Sequence, residues 1–254
     1  MRYDLKHFTA HNFPHIHDRK LRIKLAEQRL VELFFADLDE GYFIEVGANE
    51  PTKSSQTWHL ERKGWRGVLV EPVPELCKEL RRERPHSVVV EAACGAPEQR
   101  GSATLHVAEG LARSTLDRNA VALNVNFTRT ETVAVKTLDD ILEELKPPRV
   151  DFVSIDVEGL QLDVLRGFDL QKYHPRLLLV EDHLHNLRTH RYLQRRRYRL
   201  VKRTARNNWY VPHAVSFVMS SGWERFLLWQ DVYMRTPVRK LRIALRRVSV
   251  RPGA

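Results

Sequence analysis

Residues 42–49 constrain the fold of this chain more than any other stretch of its sequence. They read Tyr-Phe-Ile-Glu-Val-Gly-Ala-Asn, an apolar and β-branched run that leads directly into a turn with one glycine. This pattern is typical of the first parallel strand of a nucleotide-type α/β sheet, where glycine lets the backbone approach a ligand closely. A buried strand followed by an ordinary turn gives the same pattern, so the segments that follow must decide between the two.

A carboxylate ends the next predicted strand. Residues 68–70, Val-Leu-Val, predict a short buried strand that ends at Glu71, 24 residues after Gly47. In βαβ nucleotide-binding folds, a carboxylate at this position accepts hydrogen bonds from the two ribose hydroxyls of an adenosine ligand. We therefore predict that Glu71 contacts a ribose; the alternative is an exposed glutamate before a proline turn.

The loop after the first strand lacks the features of a phosphate site. Gly47 is followed by Ala48 and Asn49, which differs from a Gly-x-Gly-x-x-Gly loop, and the sequence contains no Gly-Lys-Ser/Thr loop. A ligand with adenosine but no phosphate is therefore favoured. S-adenosylmethionine is such a ligand, and we expect Glu45 to face its amino group and the Gly47 backbone to lie close to it.

The remaining pattern predicts an α/β fold. Apolar runs alternate with helical segments, and the last two predicted strands are joined by too few residues for a crossover, so they should form an antiparallel hairpin. This order gives a six-stranded parallel core with one antiparallel strand inserted near its edge. The predicted strands lie within residues 42–49, 68–70, 87–93, 150–155, 176–180, 198–202 and 208–211, with two extra strands at 103–107 and 130–135 and a first helix over 19–38.

Length and composition limit the class of protein. The 254 residues fit one large α/β domain with appended terminal elements. The chain has no run of about eighteen uncharged apolar residues and begins with a polar, histidine-rich segment, so we expect neither a membrane span nor a secretory signal. Two cysteines, Cys77 and Cys94, lack metal-ligand spacing and indicate a reducing compartment. We therefore expect a cytoplasmic location.

The net charge of +10 is concentrated near the C-terminus. Residues 184–254 carry 17 Lys and Arg against two acids, whereas residues 1–183 are net acidic. Such asymmetry indicates an anionic partner or a solvated basic face. Within this quarter, residues 223–247 are amphipathic, and their aromatics are expected to dock on the body or on a second subunit, which would make a homo-oligomer. The predicted organisation is a helical cover (1–41), a ligand-binding domain (42–212) and a basic extension (213–254).

Five segments together resemble the FkbM-type family of S-adenosylmethionine-dependent methyltransferases. They are residues 43–49, 64–72, 135–142, 151–159 and 164–167, in the family's order. The resemblance implies a class I methyltransferase (Rossmann-like) fold with helices on both faces of the sheet, and O-methylation of a hydroxyl on a sugar or natural product. It further implies that the cofactor is held by residues at the strand ends, namely Glu45, Gly47, Asn49, Glu71, Pro72, Ala92 and Asp156. Gln161 departs from the family, which usually has glutamate there.

Methyl transfer to a hydroxyl requires a base or a metal ion to assist removal of the proton. His183 follows a predicted strand and is the expected base, because a neutral imidazole near pH 7 accepts a proton. Asp156, at the preceding strand end, is the second expected catalytic residue. Alternatively, Asp156, Glu181 and Asp182 supply oxygen ligands to Mg²⁺. The sequence leaves both alternatives open.

Methylation of a small molecule or glycan is the first class of function, and the basic charge suggests that this acceptor is anionic. Two other classes compete with it. The basic last quarter also suits an RNA methyltransferase, although no aromatic-lined RNA-binding motif is present and residues 1–183 are net acidic. The third class is a non-catalytic adaptor that keeps the fold and binds a partner through the C-terminal segment. Binding of S-adenosylhomocysteine separates the adaptor from both enzymes.

Overall fold

The computed structural model describes residues 15–53, 55–117, 125–182, 187–236 and 238. Its centre is a seven-stranded sheet in the order β3-β2-β1-β7-β8-β10-β9. All neighbouring pairs from β3 to β8 are parallel, whereas β10 is antiparallel to both β8 and β9. The predicted parallel sheet with one antiparallel strand is therefore confirmed. The strands are β1 (Tyr42–Val46), β2 (Arg66–Glu71), β3 (Ser87–Glu91), β7 (Phe152–Ile155), β8 (Leu177–Glu181), β9 (Tyr198–Thr204) and β10 (Asn207–Pro212).

A small second sheet follows β3 in the chain. Its order is β4-β6-β5, with β4 parallel and β5 antiparallel to β6. The two extra strands predicted from alternation are present, but the single strand predicted over 87–93 is wrong. The chain leaves the large sheet after Glu91 and enters the small one two residues later. The three strands are β4 (Ala93–Cys94), β5 (Gly101–Ala108) and β6 (Phe127–Lys136).

Helices cover both faces of the large sheet, as the resemblance seen in the sequence implies. Ile44 of β1 packs with helices α4 and α5 on one face, whereas Phe43 packs with α1 and α3 on the other, because side chains alternate along a strand. The helices are α1 (Arg19–Phe34), α2 (Trp58–Glu61), α3 (Pro74–Glu83), α4 (Leu138–Leu145), α5 (Gln161–Arg166), α6 (Leu170–Tyr173), α7 (Arg188–Arg195) and α8 (Gly222–Gln230).

The first helix ends earlier than predicted, at Phe34 instead of residue 38. The second helix, α2, is a single turn that follows the 52–57 loop, in which the hydroxyls of Ser55 and Thr57 donate to the buried carboxylate of Glu45. The predicted helix over 223–247 begins as expected in α8 and continues as a π-helical turn over Asp231–Arg235. Within the described part of the chain, no helix has the length and apolar character that a membrane crossing requires.

Candidate active site

A cavity of about 500 Å³ opens at the carboxyl ends of β1, β2, β7 and β8. It lies where the strand order reverses between β1 and β7, the position at which open α/β sheets bind their ligands. One wall is apolar and includes Val46, Val70 and Leu105. The polar lining side chains are Lys20, Asn49, Arg113, Ser114, Thr115, Glu71, Asp156, Glu158, Glu181 and Arg206.

Gly47 lies where the carboxyl ends of β1 and β7 meet. Its backbone has a φ of +76°, and a Cβ atom there would collide with the carbonyl oxygen of Asp156. The Gly47 N–H donates to the Val70 carbonyl at 2.9 Å, and the Asp156 N–H donates to the Val46 carbonyl at 2.9 Å. Glycine is therefore required here for two reasons: the positive φ, and the closeness of the Asp156 backbone, which leaves no room for a side chain.

Glu71 is held in place by two backbone groups. Its Oε2 accepts a hydrogen bond from the Asn49 N–H at 2.9 Å, and its Oε1 accepts one from the Val73 N–H at 3.0 Å. Burial raises the pKa of Glu71 to about 7, although the two backbone hydrogen bonds oppose this shift. Each carboxylate oxygen keeps a further lone pair, so the ionised group can accept two hydroxyl donors from the cavity.

Asp156 and Glu181 form a carboxyl pair at the ends of β7 and β8. Asp156 lines the cavity and is exposed there, and the protein around its carboxyl group removes part of its hydration. This loss of hydration, followed by the hydrogen bond with Glu181 and its negative charge, raises the pKa of Asp156 well above its usual range. Two close carboxylates resist ionising together, which is why the negative charge of Glu181 favours the protonated form of Asp156.

Sequence comparison identifies the family. The sequence model of the methyltransferase FkbM domain matches residues 45–200. The chain belongs to the FkbM methyltransferase family. It is therefore an S-adenosylmethionine-dependent methyltransferase. A search of curated proteins gives no match.

Solved structures of other methyltransferases are similar to this FkbM methyltransferase at low identity. The METTL16 methyltransferase domain is 11% identical, with 75% of this chain and 66% of that chain covered and a TM-score of 0.43. The N-terminal domain of human METTL16 in complex with SAH is 12% identical, covers 75% of this chain and 69% of that chain, and has a TM-score of 0.42. A methyltransferase from Geobacter sulfurreducens is 13% identical, covers 82% and 87%, and has a TM-score of 0.37. The family assignment rests on the domain match alone.

Most of the predicted site residues of this methyltransferase lie around this cavity. The lining includes seven of them: Gly47, Asn49, Glu71, Pro72, Ala92, Asp156 and Glu181. Two others, Glu45 and Asp182, are outside the lining. His183, the predicted base, lies outside the described residues.

Glu45 is bound to the loop that follows β1 rather than exposed in the cavity. Its carboxylate accepts hydrogen bonds from the hydroxyls of Ser55 and Thr57 and from the Gln56 N–H. The buried guanidinium of Arg84 lies 3.9 Å away and donates to the same two hydroxyls. The structure therefore places Glu45 in a buried network that shapes the loop beside the cavity.

The predicted magnesium set is not supported. Across the described ranges, no group of three or more His, Cys, Asp or Glu side chains is arranged to hold a metal ion. Asp156 and Glu181 hydrogen-bond to each other, and Glu181 also pairs with Arg206 at 3.2 Å. Asp182 lies outside the cavity lining, and its backbone pairs with Arg206.

Several cationic residues at the cavity were missed by sequence reasoning. Lys20 on α1, Arg113 after β5 and Arg206 in the β9–β10 turn line the cavity. Lys24, one helical turn after Lys20, is close enough to affect the carboxyl pair, and burial lowers its pKa although nearby carboxylates oppose the shift. The spacing of Lys20 and Lys24 on one helix face is a sequence signal, but it does not reveal which cavity the helix covers.

The long segment between β5 and β6 contributes to the site. Residues 111–116 line the cavity, and the Thr115 backbone pairs with that of His106 in β5. This segment therefore forms part of the cavity wall, and residues 118–124 lie outside the described residues.

Proposed function

We propose that this methyltransferase transfers a methyl group from S-adenosylmethionine to a hydroxyl of a sugar or natural-product acceptor that carries an anionic group. The proposal rests on the cavity of about 500 Å³, which is lined both by a carboxylate suited to a ribose, Glu71, and by a hydrogen-bonded carboxyl pair, Asp156 and Glu181. Adenosine and acceptor sites must be continuous for methyl transfer, and one cavity containing both kinds of group meets this requirement.

The cavity residues fit S-adenosylmethionine. Backbone N–H donors fix both carboxylate oxygens of Glu71, and this orientation suits hydrogen bonds from the two ribose hydroxyls. Val70, Leu76 and the small Ala92 line the cavity near Glu71, and apolar side chains of this kind suit an adenine ring. When bound, S-adenosylmethionine supplies an electrophilic methyl group on a positively charged sulfur, and Asp156 at the β7 end adds negative charge to this part of the cavity.

Asp156 is the described residue best suited to take the acceptor proton. Burial, the hydrogen bond with Glu181 and the charge of Glu181 raise the pKa of Asp156, and a raised pKa makes its carboxylate a stronger proton acceptor. Glu181 also pairs with Arg206 at 3.2 Å. His183 remains a second candidate for the base because it follows Glu181 and Asp182 directly in the sequence.

Asp156→Asn is expected to lower kcat by about a hundredfold or more, the usual contribution of a general base. The matched control is Glu158→Gln, which removes a nearby lining carboxylate and should leave kcat within a few-fold of wild type. Single-turnover kinetics with saturating S-adenosylmethionine give the measurement. If His183→Ala loses activity and Asp156→Asn does not, the proton acceptor is His183 and the assignment of Asp156 is wrong.

The cationic lining favours an anionic acceptor. Lys20, Arg113 and Arg206 come from three separate elements yet line one cavity. Glu181 partly neutralises Arg206, so Arg113, which is exposed at the cavity, is the better test of acceptor charge. A carboxylate, phosphate or nucleotide-linked acceptor would gain from this charge, whereas a neutral one would not.

We expect Arg113→Ala to raise KM for an anionic acceptor by about tenfold, the scale of one charged hydrogen bond, with little change in kcat. The exposed Arg66→Ala serves as the control and should change neither constant. Steady-state kinetics on an anionic sugar and its neutral analogue provide the comparison. An equal loss on both substrates would mean that Arg113 does not recognise acceptor charge.

RNA methylation is the second candidate, and the net charge of residues 184–254 favours it. An RNA acceptor would give an affinity that falls steeply with salt, because cationic side chains displace counterions from the phosphates. Weak RNA affinity without this salt dependence would exclude the RNA class and leave the small-molecule or glycan acceptor.

A further inference from the structure

Helix α8 presents a row of aromatic rings on the protein surface. Trp223, Phe226 and Trp229 are 66%, 49% and 51% exposed, and Tyr233 follows in the π-helical turn with 44% exposed. Adjacent ring centroids are 5.5, 6.3 and 6.0 Å apart along this row, which we call the aromatic ladder. Exposed apolar side chains lie near it in the sequence: Val218, Leu227, Met234 and Val238. An apolar surface of this kind on a folded protein marks a contact site.

The other side of α8 is fixed to the body, so the ladder is held outward. Glu224 pairs with the buried Lys202 at 2.9 Å and also accepts from the Ser221 N–H in a capping box. Val232 is buried, and Asp231 lies 3.6 Å from Arg203. These contacts lie on the face opposite Trp223, Phe226 and Trp229. The hydroxyl of Tyr233, by contrast, hydrogen-bonds with His190 and Gln194 of α7. Packing onto the body therefore accounts for Tyr233 but not for the other three rings.

Positively charged side chains lie on the same segment as the ladder. Arg225 and Arg235 are exposed within and just after α8. The sequence from 237 to 254 adds six Lys and Arg and no acid. Aromatic rings beside many cations suit the interface of an anionic bilayer, where rings enter the headgroup region and cations pair with lipid phosphates.

We propose that the aromatic ladder, with the exposed Arg225 and Arg235 beside it, attaches this methyltransferase to the surface of an anionic lipid membrane. The attachment is interfacial and requires no membrane-spanning helix. Each ring that enters the headgroup region adds apolar burial, and each cation near the surface adds electrostatic attraction. Binding should therefore depend on both the rings and the lipid charge.

The geometry of the rings favours lipid over nucleic acid. Trp223 and Phe226 are inclined by 26°, and Phe226 and Trp229 by 23°, so neighbouring rings already stack on one another. A base inserted between two rings would require about twice the 3.4 Å stacking distance, roughly 7 Å, which exceeds the observed spacings. A second copy of the chain is also disfavoured, since two net-positive surfaces would face each other.

The test is flotation of the full chain with two kinds of vesicle, pure phosphatidylcholine and phosphatidylcholine containing phosphatidylserine. We expect binding to the phosphatidylserine vesicles that weakens with salt, and a blue shift of tryptophan emission from Trp223 and Trp229. The double variant Phe226→Ser/Trp229→Ser should weaken binding at least about tenfold. Both positions are exposed, so the variant should fold. The control is Val88→Ser, an exposed apolar residue of β3, which should bind like wild type.

Three outcomes would overturn the proposal. The first is no binding to the phosphatidylserine vesicles. The second is vesicle binding that the double variant leaves unchanged, together with RNA binding that the double variant abolishes. The third is a concentration-dependent dimer in analytical ultracentrifugation that the double variant dissociates while vesicle binding is unaffected.

Discussion

Gly47→Ala is expected to destabilise the folded protein by about 3–5 kcal/mol, a size reached only by a few mechanisms such as backbone strain and overpacking. Two costs combine at this position. The φ of +76° is unfavourable for alanine, and the new methyl group would strike the Asp156 carbonyl. The collision also moves the β1 and β7 ends apart, so S-adenosylhomocysteine binding should be lost together with stability.

Gly110→Ala is the matched control for this substitution. Gly110 has a φ of +77°, but a Cβ atom there meets no atom within 4 Å. This variant therefore carries only the backbone cost, about 1–2 kcal/mol. Chemical denaturation of both variants measures the difference, which isolates the collision with Asp156. Equal destabilisation of the two variants would contradict the close approach of the two strand ends.

Arg84→Met is expected to cost about 3–5 kcal/mol, because it breaks a buried ionic network and leaves carboxylates without their partner. Arg84 has no exposed surface and donates to Glu61, to the Pro51 carbonyl and to the hydroxyls of Ser55 and Thr57. Its guanidinium also lies over the rings of Phe43 and Trp58, at 5.7 and 5.3 Å from their centroids.

Arg82→Met is the control, since Arg82 has the same side chain, lies two residues earlier and is 74% exposed in its ion pair with Glu83. It should change the free energy of unfolding by no more than about 0.5 kcal/mol. Thermal and denaturant unfolding of both variants give the comparison. A cost below about 1 kcal/mol for Arg84→Met would mean that the buried network does not stabilise the loop after β1.

The strand ends were predictable from the sequence because short-range patterns determine them. The apolar run before Gly47 and the Val-Leu-Val run before Glu71 both end where the structure ends β1 and β2. Parallel strands bring their carboxyl ends to one edge, so these ends and Asp156 also converge as expected.

The surroundings of Glu45 could not be predicted in the same way. Glu45 lies two residues after Phe43 in β1, so the two side chains point to the same face of the sheet. Arg84 lies on that face. Arg84 is one of three arginines within residues 81–84, and the other two are exposed, so the sequence indicates a solvated basic run. Which arginine is buried depends on the packing of α3 against the sheet, a non-local contact.

The cationic residues of the cavity lining could not be predicted for the same reason, since non-local contacts place them there. Lys20 reaches the site from a helix that the sequence identifies only as a cover, and Arg206 reaches it from a hairpin turn. Both contacts join segments far apart in the chain, and local periodicity carries no information about them.

Isothermal titration of S-adenosylhomocysteine tests the central claim, that this cavity is a cofactor site organised by Glu71. We predict measurable binding by the wild type and a loss of about 1–3 kcal/mol in Glu71→Ala, the scale of hydrogen bonds to a charged group. Because burial raises the pKa of Glu71 to about 7, wild-type affinity should rise as pH increases from about 6 to 8, when the carboxylate ionises. Glu71→Gln should lack this part of the rise. No binding by the folded wild type, or equal affinity in wild type and Glu71→Ala, would contradict the account.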